Sequence, residues 1–326
     1  MLTKENLRLL AIVIPAYKVE FFKATLESIA SQTCQDFTLY IGNDASPHNL
    51  AAIVKEYEGR IDIVYEYFTN NLGGTDLVAH WARCVNLTQN EEWIWLFSDD
   101  DIMDSTCVEK FYKHLINYKN VNLLHFNINI IGKDDQLIKK CNPFPEVLTV
   151  SNFFTKRILF KINSTVVEYI FKKSIYYNEG GFESYDMAWC SDDATWIKFG
   201  RNGGIVTIPN ALVNWRYSGL NISSNRSNKD IILRKIFSSE THIQWVKEYF
   251  DKNSLVDSTT EFQKLKWIIA NILTNSHFTL SEKHSIVFKI IKRINYPNMK
   301  ILASAYLFYW QTKNYSTRVL AKISMF

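Results

Sequence analysis

The chain has 326 residues, 47% of them apolar, and a formal net charge of only +4. It is long enough for one large domain or a domain with an appendage, and its near-neutral charge gives no general case for a nucleic-acid binder. Glycine and proline are scarce, and no linker, repeat or low-complexity segment interrupts the sequence. Five cysteines (Cys34, Cys84, Cys107, Cys141 and Cys190) are scattered without Cys-x-x-Cys or Cys/His spacing. They suggest neither a zinc site nor a disulfide framework, and reduced thiols in a cytoplasmic protein are expected. The polar start, Met1 to Arg8, lacks the apolar core of a signal peptide, and no run is long enough to span a membrane.

In chain order, Leu9–Ile14 is an unbroken apolar run ended by Pro15, as expected of a strand buried on both faces. A helix is predicted from about Phe21 to Ser31, a strand over Phe37–Ile41, a helix over about Leu50–Tyr57 and a strand over Ile61–Tyr65. Between Thr75 and Leu87 the apolar positions Leu77, Val78, Trp81, Cys84 and Val85 mark one face of a helix. Strand Trp93–Phe97 follows, then a helix over about Thr106–Asn117 and a strand over Val121–Ile131. This alternation predicts an α/β fold with a mostly parallel, doubly wound sheet flanked by helices. Ligands of such sheets bind beyond the carboxyl ends of the strands. The tips Ala16-Tyr17, Asn43-Asp44-Ala45-Ser46 and Ser98–Asp101 should therefore gather at one edge.

Ser98-Asp99-Asp100-Asp101 closes an apolar strand with three adjacent carboxylates. Such crowding is costly unless water, a cation or basic groups compensate it. Hard oxygen ligands suit magnesium or manganese carrying substrate phosphates. The plain alternative is a solvated Asp-rich turn capping a helix that begins near Ser105 or Thr106. No GxGxxG follows the first strand and no GxxxxGK[ST] occurs anywhere, so a dinucleotide cofactor or a P-loop is not expected.

Five segments in this order resemble the motifs of family 2 glycosyltransferases. They are Ile14-Pro15-Ala16-Tyr17, Ser28-Ile29-Ala30-Ser31-Gln32-Thr33, Asn43-Asp44-Ala45-Ser46, Asn71-Leu72-Gly73-Gly74 and Ser98-Asp99-Asp100-Asp101. The resemblance is close over roughly the first 110 residues and looser to about residue 225. It implies a GT-A fold and transfer of a sugar from a nucleotide-diphosphate-sugar, UDP-sugar by default, in most members with inversion. By the same resemblance, Asp44 meets the nucleobase, flanked by Pro15, Ala16 and Tyr17, with Gly73 in the donor site. A divalent ion, Mn2+ or Mg2+, lies on Asp101 and Asp99, while Asp100 meets the donor ribose or sugar hydroxyls. The usual family form is Asp-x-Asp-Asp; here Ser98 takes its first position, a variant that also occurs in the family.

An inverting transfer needs a base for the acceptor hydroxyl. The family carries it on an acidic pair at a helix start after a glycine-aromatic turn. Here Gly180-Gly181-Phe182 precedes Cys190-Ser191-Asp192-Asp193, so the resemblance assigns Asp193 as base and Asp192 as an acceptor contact. Ser191, Asp192 and Asp193 are equally what a helix N-terminus favours. Trp215–Ser223 resembles a closing loop over the phosphates, where Arg216 pairs with a phosphate oxygen or else forms a structural ion pair. Relatives often carry a metal-joining histidine near the Ser218 position, which this chain lacks. His80 and His125 are read as structural.

Residues 1–228 are thus expected to form the transferase domain, with a donor half of about 1–110 and an acceptor half of about 111–228. Residues 229–326 are expected to be helical, with amphipathic series such as Ile232, Leu233, Ile236, Phe237, Ile243, Val246 and Phe250. From Lys283 onward there is no Asp or Glu, and basic residues mix with Tyr306, Phe308, Tyr309, Trp310 and Tyr315. That composition suits either a solvated basic helix or an anionic membrane face, on the inner side of the cytoplasmic membrane, with a glycan or lipid-linked acceptor. Two other classes fit less of the sequence. A non-catalytic nucleotide-sugar-binding scaffold would keep the fold, and a sugar nucleotidyltransferase would need a Gly-rich basic loop that Ile14–Lys18 does not supply.

Overall fold

In a computed structural model the described residues are 8–118, 121–219, 221–222, 225, 228–273 and 275–323. Side chains are described as far as Lys313. Residues 1–7, 220 and 223 and the side chain of Tyr315 lie outside what is described.

The chain divides into two compact units, one of Met1–Phe154 with Lys161–Ser224 and one of Thr155–Phe160 with Asn225–Phe326. The first alternates strands and helices: β1 (Leu10–Ala16), α1 (Phe22–Ala30), β2 (Phe37–Asn43), α2 (Leu50–Lys55), β3 (Ile63–Tyr67), α3 (Leu77–Val85) and β4 (Trp93–Leu96). It continues through β5 (Ile102–Met103), α4 (Cys107–Leu115), β6 (Leu123–Ile131), β7 (Leu137–Lys140), β8 (Val147–Leu148) and α5 (Val150–Ile158), of which the residues from Thr155 on are counted in the second unit. Then come β9 (Tyr169–Lys172), α6 (Lys173–Asn178), α7 (Ser191–Phe199) and β10 (Ile205–Arg216).

Among the described residues one sheet runs β3-β2-β1-β4-β9-β6-β10-β5, with β7 on β6 and β8 on β10. β1, β2, β3 and β4 pair parallel, as do β6 and β10. The expected alternation holds through β4, but β6 does not lie beside it. The short strand β9 inserts between them, antiparallel to both. Two reversals restore direction, so β10 runs the same way as β4 and its carboxyl end reaches the same edge. A four-residue strand 38 residues beyond β6 in sequence, with no alternating pattern of its own, gives periodicity little to work on. β10 shifts register between Ile208 and Leu212, where Asn210 has φ 62°. Pro209 cannot donate to a ladder, so this irregularity is where a proline fits inside a central strand.

Burial on both faces explains the unbroken apolar runs. β1 lies between β2 and β4 in the sheet, and both contribute to a core that includes Ile12, Ile14, Phe22, Leu26, Trp93, Trp95 and Phe126. The Trp95 ring stacks on Phe126 with centroids 5.1 Å apart, and its indole N–H is satisfied by the Val167 carbonyl at 2.7 Å. That pairing meets the cost of burying a tryptophan's polar atom.

The second unit is helical: α8 (Lys229–Lys252), α9 (Glu261–Leu273), α10 (Leu280–Arg293) and α11 (Lys300–Ile323). α8 starts on an Asn228 cap and α10 on a Thr279–Glu282 capping box. Ile232, Ile236, Ile243, Val246 and Phe250 are buried as expected, whereas Leu233 and Phe237 are exposed. The Arg293 guanidinium lies 5.3 Å from the Phe237 ring. No described helix is long and apolar enough to cross a membrane.

Candidate donor-binding edge and its acidic turns

The carboxyl end of β1 is tied to the ends of β2 and β4. Asp44 N–H donates to the Ala16 carbonyl at 2.8 Å, and Ser46 Oγ donates to the Tyr17 carbonyl at 2.6 Å. Asn43 Oδ1 accepts from Ser46 N–H at 2.8 Å, and Ala45 takes a positive φ of 53°. This side-chain-to-backbone bond turns the chain sharply as β2 ends. Pro15 is half-buried within β1 and Tyr17 is 39% exposed at its tip.

Asp44 is buried and accepts the N–H groups of Leu72 and Gly73, each at 2.8 Å, together with an ion pair from Arg83. Arg83 stands at the end of α3, lies 3.9 Å over the Phe68 ring, and donates through Nε to His80 Nδ1 at 2.9 Å. Burial pushes the His80 pKa down to about 4, Asp44 pulls against it and Arg83 adds a smaller lowering, in keeping with a ring that accepts from Arg83. A Cβ on Gly73 would stand 2.7 Å from Asp44 Oδ2. Glycine is therefore required there by close approach.

The three consecutive aspartates are almost wholly buried, at 3%, 2% and 1% exposure for Asp99, Asp100 and Asp101. They do not cap α4, whose cap position is Thr106 with no side-chain cap hydrogen bond. Instead, Asp99 Oδ2 accepts the backbone N–H groups of Tyr17 at 2.8 Å and Lys18 at 2.7 Å. Lys18 Nζ lies 3.1 Å from Asp99 Oδ1 and 2.5 Å from Asp100 Oδ2. Asp101 accepts from Ser98 Oγ and from Arg216 N–H, the latter at 2.6 Å. Burial raises the pKa of Asp99 and Asp101, and the neighbouring Asp100 raises both further. Burial works against the Lys18 ammonium, but Asp99 and Asp100 outweigh it and raise its pKa.

Arg216 is fully buried beneath this turn. Its Nε donates to the Asp100 carbonyl at 2.7 Å, and its Nη1 to the Gly132 carbonyl at 2.9 Å and the Asp135 carboxylate at 2.5 Å. The guanidinium also lies 4.4 Å over the Phe21 ring. Ser218 Oγ is 3.5 Å from Asp100 Oδ2.

Asp192 and Asp193 occupy a separate place, the first turn of α7, where Asp193 is buried and Asp192 half-buried. The helix is entered through Met187, Ala188 and Cys190, all non-glycine residues with positive φ of 60°, 54° and 70°. Such residues cost of the order of 1–3 kcal/mol each and persist where surroundings over-determine them. Ser191 Oγ accepts from Tyr185 N–H at 2.9 Å, so it secures the entry loop rather than capping the helix. The Gly180-Gly181-Phe182 turn reaches α3 through a Phe182–Trp81 edge contact of 5.8 Å.

Taken together, Pro15, Ala16, Tyr17, Asp44, Gly73, Asp99, Asp100, Asp101 and Arg216 lie along one sheet edge, and Asp192 and Asp193 lie in the first turn of α7. Lys18, Arg83 and the carbonyls under Arg216 were not singled out from sequence. The available signals were slight: Lys18 adjoins Tyr17, and Arg83 follows His80 by three positions on one helix face. His80 supports Arg83, and His125 is stacked on Phe144 at 3.9 Å with neither ring nitrogen hydrogen-bonded.

Among the described residues, no three His, Cys, Asp or Glu side chains are grouped so as to hold a metal unaided. An ionised carboxylate has acceptor capacity for about four bonds, and each oxygen of Asp101 uses one. The residues therefore fit a hard cation completed by substrate phosphates on one or two carboxylates, and do not fit a self-sufficient protein cage.

A mostly parallel α/β sheet whose loops and acidic turn gather at the carboxyl edge defines the GT-A class of fold. The sequence model of glycosyl transferase family 2 matches residues 11–179, and the chain belongs to that family. It is 28% identical over 187 residues to an uncharacterized glycosyltransferase of Methanocaldococcus jannaschii, a match covering 55% of this chain and 62% of that relative. Among solved structures it is similar to Staphylococcus aureus TarS 1–349 in complex with UDP-GlcNAc, with a TM-score of 0.58 and 12% identity over 94% of this chain and 88% of that one. It is also similar to GalNAc-T7 with UDP, GalNAc and Mn2+, with a TM-score of 0.51 and 10% identity over 82% of this chain and 57% of that one.

Proposed function

We propose that this protein transfers a sugar from a UDP-sugar to a hydroxyl of a glycan or lipid-linked acceptor, by direct displacement with inversion. The observation that carries the reading is the convergence of the β1, β2, β4 and β10 ends on one buried acidic turn. Asp44, held by Arg83 and the Leu72–Gly73 amides, receives the base, and the exposed Tyr17 ring flanks it beside Pro15 and Ala16. Asp100 faces the donor ribose or sugar. Arg216 acts from below, bracing the Asp100 and Asp101 backbone; its buried contacts support the ion-pair role over a phosphate contact.

Asp99 and Asp101 are the residues that would hold a divalent ion, Mn2+ or Mg2+, whose chemistry when bound is Lewis-acid stabilisation of the departing diphosphate. Asp193 takes the acceptor hydroxyl proton and Asp192 orients the acceptor. The strained entry to α7 supports this assignment, because such strain concentrates where a side chain must be aimed. In this scheme residues 1–228 perform the transfer, the donor being handled by about 1–110, and residues 229–326 form the helical region.

That region supports contact with an anionic bilayer. On α11, Ile301, Leu302, Phe308 and Tyr309 are exposed at 83%, 47%, 63% and 53% and fall on one helix face. Lys300 and Lys313 lie at the two ends of that exposed stretch. A cationic rim around exposed aromatics suits an interfacial helix.

The test is UDP release from a panel of UDP-sugars with manganese, by wild type and Asp193→Asn. Release of UDP by wild type that falls by about 10²–10⁴-fold in the variant supports the reading. Pyrophosphate release from UTP and a sugar phosphate would instead identify a nucleotidyltransferase. Binding without turnover would identify a scaffold.

A further inference from the structure

The acidic turn already carries a cation of its own. Lys18 is anchored by its own N–H on Asp99 Oδ2, so its stem starts at the carboxylate group that its ammonium then neutralises. The ammonium bridges Asp99 and Asp100 at 3.1 and 2.5 Å. Both aspartate side chains are 5% exposed or less, while the Lys18 side chain is 26% exposed. The lysine thus closes the turn from its solvent side. Asp101 is occupied differently, by Ser98 and the Arg216 N–H. A free divalent ion approaching this turn meets carboxylates that are already compensated and hydrogen-bonded. An ammonium on a flexible four-carbon stem is also the group best able to leave such a place and follow an arriving phosphate.

We propose that Lys18 is the resident counter-ion of the donor site and makes divalent-ion binding conditional on the donor. Without nucleotide it holds Asp99 and Asp100 and suppresses capture of free metal. When metal arrives with a nucleoside diphosphate, the ammonium exchanges its carboxylate partners for phosphate oxygens. No bond is made or broken in this exchange; one ion pair replaces another. The inference rests on the donor site proposed above.

The experiment titrates manganese alone, by calorimetry, into wild type, Lys18→Met, Lys18→Gln and Lys18→Arg, and separately titrates UDP in saturating manganese. Lys18→Met and Lys18→Gln should bind free manganese at least about tenfold more tightly than wild type, the worth of one removed charge partner at about 1.4 kcal/mol. Lys18→Arg keeps the charge and should resemble wild type. Thermal melts give a second readout: the neutral variants should be destabilised and regain stability with manganese, and wild type should not respond. Equal affinity of all four proteins for free manganese, tight or undetectable, overturns the proposal. Failure of UDP to bind any of them instead overturns the donor-site reading, whatever manganese alone does. Lys18→Gln keeps a hydrogen-bond donor toward Asp100, so the comparison survives if Lys18→Met does not fold.

Discussion

Replacing Gly73 by alanine would put a Cβ 2.7 Å from Asp44 Oδ2, 3.3 Å from His80 Cδ2 and 3.4 Å from Leu77 Cδ1. The clash cannot be relieved by swinging Asp44 away cheaply. Its carboxylate is buried and held by Leu72 N–H, Gly73 N–H and Arg83. Overpacking of this kind costs about 1–3 kcal/mol, and loosening hydrogen bonds to a charged group about 1.5–3 kcal/mol. The two overlap, so we expect a total of roughly 2–4 kcal/mol and, at about 2–4 °C per kcal/mol for a unit this size, a fall in Tm of roughly 5–15 °C. UDP affinity should fall by at least about tenfold, since Asp44 is the proposed base-recognition group. Gly74→Ala is the control: its Cβ would meet Asn71 Oδ1 at 2.8 Å, but Asn71 is exposed and can rotate away. Differential scanning fluorimetry with UDP titration measures both. A Gly73→Ala protein that melts within about 1 °C of wild type and binds UDP equally would falsify the close-approach argument.

Three further outcomes follow from the same geometry. Arg216→Lys should destabilise by about 1.5–3 kcal/mol and weaken UDP binding, because a lysine lacks the planar fork that serves the Asp100 and Gly132 carbonyls and the Asp135 carboxylate together; urea unfolding reads the loss. In the helical unit, burial raises the Glu240 pKa from 4.5 to about 7 against the pull of Arg293. Between those values the unfolded chain releases this proton before the native one, so Glu240's contribution to stability should decline with rising pH by up to about 1.4 kcal/mol per unit. Glu240→Gln should flatten that decline, and an unchanged slope would exclude Glu240 as its source. Ile301→Asp with Phe308→Asp should weaken sedimentation with vesicles of anionic lipid without altering UDP binding; unchanged sedimentation would count against α11 as the contact.

The first strands and helices were legible because each carries a strong period. β1 and β4 are continuous apolar runs, and α3 shows its buried face at helical spacing. The convergence of Ala16, Asp44 and Asp99–Asp101 followed from parallel order alone. What periodicity could not give was β9, four residues long and antiparallel, and hence the mixed right half of the sheet. Nor could it show that each aspartate already has partners. Lys18 and Arg83 become neighbours of Asp99 and Asp44 only through folding across 81 and 39 residues. Arg216 illustrates the same limit: its residue type fits a phosphate or a brace, and only burial separates them.

The most direct test of the account is calorimetric titration of a nucleoside diphosphate panel, with and without manganese, into wild type and Asp101→Ala. The account predicts that UDP binds best, that binding needs manganese, and that Asp101→Ala loses most of it. Binding of no nucleotide under any condition would contradict it, leaving the acidic turn a structural element of a family 2 fold.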